Sequence, residues 1–287
     1  MSTSTLPPSP AATWPRRLTH SAPVRLVAGV LAGALPVAVT MGLAQHLVEK
    51  PYRQLWPHLL AAVLCLLAYR AFVRVFEQRT PAELAPKPAL RELPAGVLVG
   101  VALIGSVCAV LAVAGGLRVT GLAGGNLLKP LADMVLAAVV EEIVFRAVVL
   151  RILAAWLGTR TALVVSSLLF ALAHLPNNGF SAMAFAALVV AGLLLAAAYL
   201  VHQRVWLPIG LHFGWNFTTE GLFSLASSGQ AAQGYLQTQL AGPEWLTGGA
   251  FGVEASVVTV AITALATGLL LAYGRRVRNG RLAAHAA

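Results

Sequence analysis

Three ionisable side chains fall within six positions of one long apolar stretch: Glu141, Glu142 and Arg146. Glu142 and Arg146 are four residues apart, so on a helix they share a face and can form an ion pair. Glu141 lies about 100° round the helix from Glu142, which leaves its carboxylate free to take a proton from a water. The alternative is a buried ion-pair cluster that only fixes helix packing.

Two further apolar stretches each carry a histidine with a partner four residues away. Phe170 and His174 share one helix face, and so do His212 and Asn216. A histidine can hold a water or bind a metal ion, and a His–Asn pair can grip one oxygen atom from two points. Taken singly, each pair is equally compatible with ordinary hydrogen bonds between packed helices.

Taken together, the three stretches favour hydrolysis at a carbonyl group. Glu141 would take the proton of the attacking water, and His174 would help to hold that water or coordinate a metal. His212 and Asn216 would stabilise the oxyanion that forms on the attacked carbonyl. Charged residues are costly inside a membrane and almost always face the interior of a helix bundle, so we expect these groups to converge.

The elements that must position these groups are bilayer-spanning helices. The 287 residues are 58% hydrophobic and only 10% charged, whereas soluble proteins carry about 25% charged residues. The apolar runs show no alternation, which favours helices over the strands of a membrane barrel. We predict an all-α fold, a polytopic membrane helix bundle with its site in a membrane-embedded cavity. Hydropathy predicts about eight transmembrane helices, at 24–48, 56–76, 94–116, 127–157, 160–177, 181–202, 205–226 and 251–274.

The basic residues predict the orientation. If the N-terminus is cytoplasmic, fifteen of the twenty Lys and Arg fall on the inner side and four on the outer side, as basic loops do in membrane proteins. We therefore predict a multi-pass protein of the cell membrane with both termini cytoplasmic. The net charge of +10 is then a topology signal, so the predicted partner is the lipid bilayer and not a nucleic acid. Cys65 and Cys108 lie inside apolar runs and are interpreted as packed, unpaired thiols.

The set of motifs resembles that of the CPBP family of intramembrane proteases, which includes the type II CAAX prenyl endopeptidases and the bacterial abortive-infection proteins. The resemblance covers about residues 127–220 and rests on the order and spacing of Glu141-Glu142-xxx-Arg146, Phe170-xxx-His174 and His212-xxx-Asn216. It implies an eight-helix bundle in which residues 23–275 form the protease domain. Residues 1–22 are then a disordered basic N-terminal tail, and residues 276–287 a basic C-terminal tail.

The resemblance also implies roles for single residues. It makes Glu141 the catalytic glutamate, with His174, His212 and Asn216 as its partners. The supporting positions are Glu142, Arg146 and Phe170. The expected activity is that of an intramembrane endopeptidase acting on a peptide or protein in or at the membrane. Eukaryotic members trim a C-terminal tripeptide after a prenylated cysteine, and nothing in this sequence indicates that substrate.

Three alternatives stay open at the level of sequence. Family members have been described both as metalloproteases and as glutamate-dependent proteases. The chain lacks the HExxH zinc signature, so we favour a mechanism that requires no cofactor, with zinc on Glu141, His174 and His212 as the alternative. A non-catalytic scaffold or bacteriocin-immunity factor could use the same fold. A proton-coupled transporter is disfavoured because no internal repeat is visible.

Overall fold

The computed structural model describes residues 21–286, with side chains as far as residue 280. The fold is nearly all-α, as predicted, and most of the predicted N-terminal tail lies outside the described residues. The helices are α1 (Ala22–Leu47), α2 (Trp56–Ala71), α3 (Pro86–Val113), α4 (Leu128–Glu141), α5 (Arg151–Leu157), α6 (Thr159–Ala173), α7 (Ala182–His202), α8 (Trp206–Asn216), α9 (Glu244–Thr247) and α10 (Val257–Ala286). The last helix includes all but the final residue of the predicted C-terminal tail.

Five of the described helices are long and apolar enough to cross a membrane, namely Ala22–Leu47, Lys50–Phe76, Pro86–Val113, Ala182–His202 and Val257–Gly280. The chain is therefore a multi-pass membrane protein. Each predicted span coincides with a helical segment, but the count of eight complete spans stays a prediction. Helices α4, α6 and α8 are not among these five. They are shorter, and they carry or border the polar motifs. Polar residues and short helices are what a site built inside the bilayer requires.

Two helices change from α-helical to π-helical winding beside the motif residues. A π-helical segment, Glu142–Leu150, joins α4 to α5, so that 128–157 is one continuous helical rod. A second, Phe217–Leu222, extends α8 directly after Asn216. π-Helical turns are rare in proteins overall, and a large share of those that occur lie at functional sites. They rotate the side chains that follow relative to an ideal helix, which the 3.6-residue periodicity of the sequence does not predict.

The two ends of the bundle differ in structure. At one end, which we call the sheet end, strand β1 (Leu117–Leu122) pairs antiparallel with strand β2 (Leu236–Leu240). The sequence did not predict this pairing, since more than a hundred residues separate the strands. The other end, which we call the ion-pair end, is built from the start of α1 and the ends of α2 and α7. Cys65 and Cys108 are buried free thiols within the bundle.

The ion-pair end is held by arginines that converge on two carboxylates in the link between α2 and α3. Glu77 accepts hydrogen bonds from Arg25 at 2.6 Å and from Arg151 at 2.9 Å, and Arg79 pairs with Glu83 at 2.6 Å. Burial alone would raise the pKa of Glu77, but the hydrogen bonds and charges of Arg151 and Arg25 outweigh it and lower that pKa. The pKa of Glu83 is likewise lowered, because its bonds to Arg79 and Tyr69 outweigh burial.

We expect these two carboxylates to make the fold sensitive to acid. A carboxyl group whose pKa is lowered by folding stabilises the native state above its ordinary pKa, here 4.5, and this stabilisation is lost as the pH falls through the lowered value. Thermal unfolding in detergent should therefore show a melting temperature that falls as the pH drops below about 4.5. The variant Glu77→Gln should melt lower at pH 7 and show a flatter acid profile. An unchanged profile would contradict the assignment.

Helices α3 and α8 touch through backbone atoms at two pairs of glycines. Gly96 and Gly100 on α3 face Gly210 and Gly214 on α8, in the small-xxx-small spacing of close membrane helix pairs. A Cβ atom at Gly100 would lie 2.3 Å from the carbonyl oxygen of Leu211, and one at Gly214 would lie 2.4 Å from that of Val97. Because α8 carries two of the motif residues, this contact fixes their position along the bundle axis relative to α3.

Replacing Gly100 by Ala is expected to destabilise the fold, because the added methyl group meets backbone and the helices must separate. Overpacking of this kind typically costs about 1–3 kcal/mol. Gly105 on the same helix has open space where a Cβ would stand, so Gly105→Ala is the matched control. The measurement is the unfolding free energy in mixed detergent micelles. Equal stability of both variants would contradict the close contact between α3 and α8.

Candidate active site

Glu142 and Arg146 form the buried ion pair that their spacing predicts. The guanidinium Nη1 donates to Glu142 Oε1 at 3.0 Å, and both side chains are almost completely buried. Arg146 Nη2 also donates to the carbonyl oxygen of Gly192 on α7 at 3.3 Å. Its guanidinium carbon lies 4.6 Å from the ring centroid of Phe170 on α6, a cation–π distance. Arg146 thus ties three helices together beneath the site.

Glu141 points away from that pair and into a cavity. Its side chain keeps 27% of its accessible surface, whereas that of Glu142 keeps none. Among the described residues, no donor forms a hydrogen bond to its buried Oε2 atom. The nearest ionisable partners are His174 Nε2 at 4.0 Å and His212 Nε2 at 3.9 Å. The structure therefore brings together the Glu and the two His that the sequence places on different helices.

His174 stands at the C-terminal cap of α6, just before Pro176. Its Nδ1 lies 2.8 Å from the carbonyl oxygen of Phe170, one turn earlier. A carbonyl oxygen can only accept, so Nδ1 carries the hydrogen, and in the neutral imidazole Nε2 presents a lone pair to Glu141. The Phe170 ring packs at 4.9 Å between centroids against the imidazole. Phe170 therefore supports His174 through both its ring and its backbone.

His212 is oriented by Glu142 in the same manner. Its Nδ1 donates to Glu142 Oε1 at 2.9 Å, the oxygen that also accepts from Arg146. The carboxylate holds the ring and favours a hydrogen on Nδ1, as carboxylate–histidine pairs do in other sites. Nε2 then faces Glu141 across the cavity. Glu142 therefore positions His212 and also pairs with Arg146. Only the pair with Arg146 was predicted from the sequence.

The space between Glu141 and the two histidines fits one water molecule. Two atoms that lie about 4 Å apart and each form a hydrogen bond of about 2.8 Å to a water subtend an angle of about 90° at it. The measured separations of 4.0 and 3.9 Å match that geometry. The Glu141 carboxylate oxygen and the lone pair of His174 Nε2 are both acceptors, so a water between them would donate one hydrogen to each, and His212 Nε2 is then left to act as a donor when its ring is protonated.

The same distances fit a bound zinc ion less well. With bonds of about 2.0–2.1 Å in tetrahedral geometry, an oxygen and a nitrogen ligand stand about 3.3 Å apart, which is shorter than the separations observed. Within the described part of the chain, no group of three or more His, Cys, Asp or Glu side chains is arranged to hold a metal ion. Glu141, His174 and His212 would have to move inward to become ligands.

The cavity has a volume of about 190 Å³ and is lined by Glu141, His174, His212 and Asn216, as well as by Phe170 and Trp215. It is large enough to hold water. The side-chain amide of Asn216, one turn beyond His212 on α8, forms no hydrogen bond with any described residue, which leaves it free for a ligand. All four residues predicted to be catalytic therefore share one cavity, and the three predicted supporting residues lie beneath it or against its wall.

The cavity also reaches polar residues that the sequence analysis did not assign. Glu254 and Thr263 come from the region around α10, outside the motifs. The visible signal was the spacing of Thr259, Thr263 and Thr267, which places three hydroxyls on one face of an apolar helix. Glu220, eight residues beyond His212 in the π-helical segment that extends α8, also lines the cavity.

A family model matches the part of the chain that carries this site. Residues 123–218 match the model described as type II CAAX prenyl endopeptidase, Rce1-like. The match contains the four residues predicted to be catalytic and all three supporting positions, and it is consistent with the CPBP family predicted from the motifs. No curated protein and no solved structure matches the chain.

Proposed function

Because residues 123–218 of this membrane protein carry the Rce1-like CAAX protease segment, we propose that the chain is an intramembrane endopeptidase. It hydrolyses peptide bonds of a membrane-associated peptide or protein with a water activated by Glu141. One observation carries the proposal: Glu141 Oε2, bare of direct hydrogen bonds from described residues, lies within 4.0 Å of both His174 Nε2 and His212 Nε2 in one cavity.

The first step is attack by water. The water donates one hydrogen to Glu141 and the other to His174 Nε2, so a lone pair of its oxygen is directed at the scissile carbonyl carbon. Glu141 takes the proton as the carbon–oxygen bond forms, and the carbonyl electrons move to the oxygen. A carboxylate that serves as general base contributes about 10²- to 10⁴-fold in rate.

The second step is collapse of the tetrahedral intermediate. The oxyanion accepts a hydrogen bond from the Asn216 amide and one from protonated His212 through Nε2, whose positive charge is balanced by Glu142. Donors fixed in a site with little water stabilise such charge strongly. Glu141 then gives its proton to the leaving nitrogen as the carbon–nitrogen bond breaks. The products are a new carboxyl terminus and a new amine.

The proposal includes an orientation in the membrane. Arg25, Arg79, Arg151 and Arg204 lie at the ion-pair end, whereas Lys50, Arg53, Arg118 and Lys129 are the basic residues of the sheet end. Among the described residues, most Lys and Arg flank helices at the ion-pair end, which is the pattern of a cytoplasmic face. Both termini are then cytoplasmic, and the catalytic cavity lies closer to the outer surface of the cell membrane.

The test uses the purified chain in lipid nanodiscs with a library of synthetic peptides copied from membrane-protein segments. New termini identified by mass spectrometry are expected to accumulate with time. EDTA is expected to leave their rate unchanged, since the separations between Glu141 and the histidines match a bound water better than a zinc ion. Loss of cleavage with EDTA and its recovery with Zn²⁺ would establish the metal-dependent alternative. A complete lack of cleavage would favour the scaffold hypothesis.

A further inference from the structure

The acidic residues of the chain differ in how their charge is balanced. Of ten Asp and Glu residues, Glu49 and Glu244 are exposed. Six of the remaining eight have a Lys, Arg or His nitrogen within 4.0 Å, namely Glu77, Glu83, Glu92, Asp133, Glu141 and Glu142. Glu220 and Glu254 have no such partner among the described residues. Both line the catalytic cavity, where no Lys or Arg is present.

The two carboxylates without a cationic partner are held differently. Glu254 accepts four hydrogen bonds from neutral donors: Trp215 Nε1 at 3.0 Å, Ser227 Oγ at 2.9 Å, and the backbone nitrogen and hydroxyl of Ser228 at 2.7 and 3.0 Å. Through these bonds Glu254 links the loop that contains Ser227 and Ser228 to Trp215 on α8. The carboxylate of Glu220 forms no hydrogen bond within the described chain. It lies between the cavity and an outer groove, in which Lys129 is paired with Asp133.

A second, independent observation indicates that a ligand enters this cavity. Five other helical hydroxyls donate to the carbonyl oxygen four residues earlier: Thr40, Ser106, Thr219, Thr247 and Thr267. Thr263 is 2% exposed and lines the cavity, yet its hydroxyl has no partner among the described residues. Ser167, which does not line the cavity, is the other buried helical hydroxyl without a partner among the described residues. A buried hydroxyl without a hydrogen-bond partner destabilises the fold, and a polar group of a bound peptide would remove that cost.

We propose that the outer part of the cavity is a subsite for a cationic group of the peptide substrate, with Glu220 as its counter-ion and Thr263 as a further hydrogen-bonding contact of the bound peptide. The inference rests on the proposed endopeptidase function and adds its specificity. A carboxylate without a cationic partner in surroundings of low polarity gains most from a ligand that brings the opposite charge. The cationic group is an ammonium or guanidinium, from a Lys or Arg side chain or from the free N-terminus of the peptide.

The first test measures binding without turnover. A fluorescent decapeptide of Ala and Leu with one central Lys is titrated onto the Glu141→Gln variant in nanodiscs of zwitterionic lipid, beside the same peptide with norleucine. The Lys peptide is expected to bind at least about tenfold more tightly than the norleucine peptide. Glu220→Gln should reduce that ratio to about one, whereas the exposed control Glu244→Gln should keep it. Acetylated and free N-termini are compared to separate the two sources of positive charge.

The outcomes separate this inference from the proposed function. Preference for the Lys peptide or for the free amine that depends on Glu220 supports the subsite, even if the wild-type protein cleaves nothing and the endopeptidase proposal fails. Equal binding of charged and uncharged peptides, or a preference unaffected by Glu220→Gln, overturns the subsite. In that case cleavage that depends on Glu141 would leave the endopeptidase proposal standing.

A second pair of variants tests Thr263. Thr263→Val removes the unpaired hydroxyl at nearly constant shape, so we expect an unchanged or higher melting temperature together with binding of the Lys peptide about threefold to tenfold weaker. Thr263→Ser should bind like the parent protein. Thr267→Val, which loses a hydroxyl already bonded to the Thr263 carbonyl, should leave binding unchanged. Binding by Thr263→Val equal to that of the parent protein would overturn the assignment of Thr263.

Discussion

Replacing Glu141 by Gln is expected to lower the rate of peptide cleavage by about 10²- to 10⁴-fold while the helix bundle stays folded. The amide cannot accept the proton of the attacking water, so the chemical step loses its base. Folding should be spared because Glu141 Oε2 forms no hydrogen bond with any described residue and the side chain is partly open to the cavity. The measurement is the rate of new terminus formation in nanodiscs, with the melting temperature recorded for the same preparation.

The matched control is Glu49→Gln, which removes an exposed carboxylate far from the site. It should retain the wild-type rate and melting temperature. If Glu141→Gln cleaves at the wild-type rate, Glu141 is not the base and the mechanism proposed above is wrong. If instead the variant fails to fold, Glu141→Asp provides a second measurement, because it keeps the carboxylate and withdraws it from the histidines.

Replacing Arg146 by Met is expected to have the largest effect on stability. The change leaves the completely buried Glu142 without its guanidinium partner, and breaking a buried ion pair from one side typically costs about 3–5 kcal/mol. The variant also loses the contacts of Arg146 with the Gly192 carbonyl and the Phe170 ring. The measurement is the unfolding free energy in mixed micelles of mild detergent and dodecyl sulfate.

The double variant Glu142→Gln, Arg146→Met separates two contributions to the expected loss of stability: the unpaired charge of Glu142 and the lost packing of the Arg146 side chain. It removes the uncompensated carboxylate, so it should be more stable than Arg146→Met alone. Its cleavage rate should stay low, because the neutral amide that replaces the Glu142 carboxylate carries no charge to balance a protonated His212. A double variant as unstable as the single one would indicate that packing, not the ion pair, dominates at this position. Wild-type stability of Arg146→Met would contradict the ion pair itself.

The convergence of the motif residues could be predicted from sequence because the bilayer allows so few alternatives. Glu141, His174 and His212 each interrupt an apolar helix, and a polar group in lipid must turn inward and find partners. The pair of Glu142 and Arg146 could be predicted because its geometry is local to one helical turn. In contrast, the bond from Glu142 to His212 joins two helices, and spacing along the chain carries no information about it.

Helix boundaries and long-range pairings were less predictable, for physical reasons. Helix α3 begins at Pro86, eight residues before the predicted span, because the ion pair of Glu92 with Arg204 allows the two charged turns at its start to stay helical. Hydropathy interprets such a turn as a loop. Two features depend on contacts between segments that are distant in the chain: the pairing of β1 with β2 and the hydrogen bonds from Ser228 to Glu254. Thr263 was missed because a lone hydroxyl in an apolar helix usually satisfies itself on its own backbone.

The local pairing of Glu142 with Arg146 has a consequence for biogenesis. A segment that leaves the ribosome with several charges enters the bilayer poorly, at a cost of about 2.5–3.5 kcal/mol for each charge at its centre. Two of the charges in this segment neutralise each other within a single turn, before the helices that follow it in the chain have been synthesised. The segment can therefore insert before α8 has been synthesised. The site is complete once α8 inserts and supplies His212.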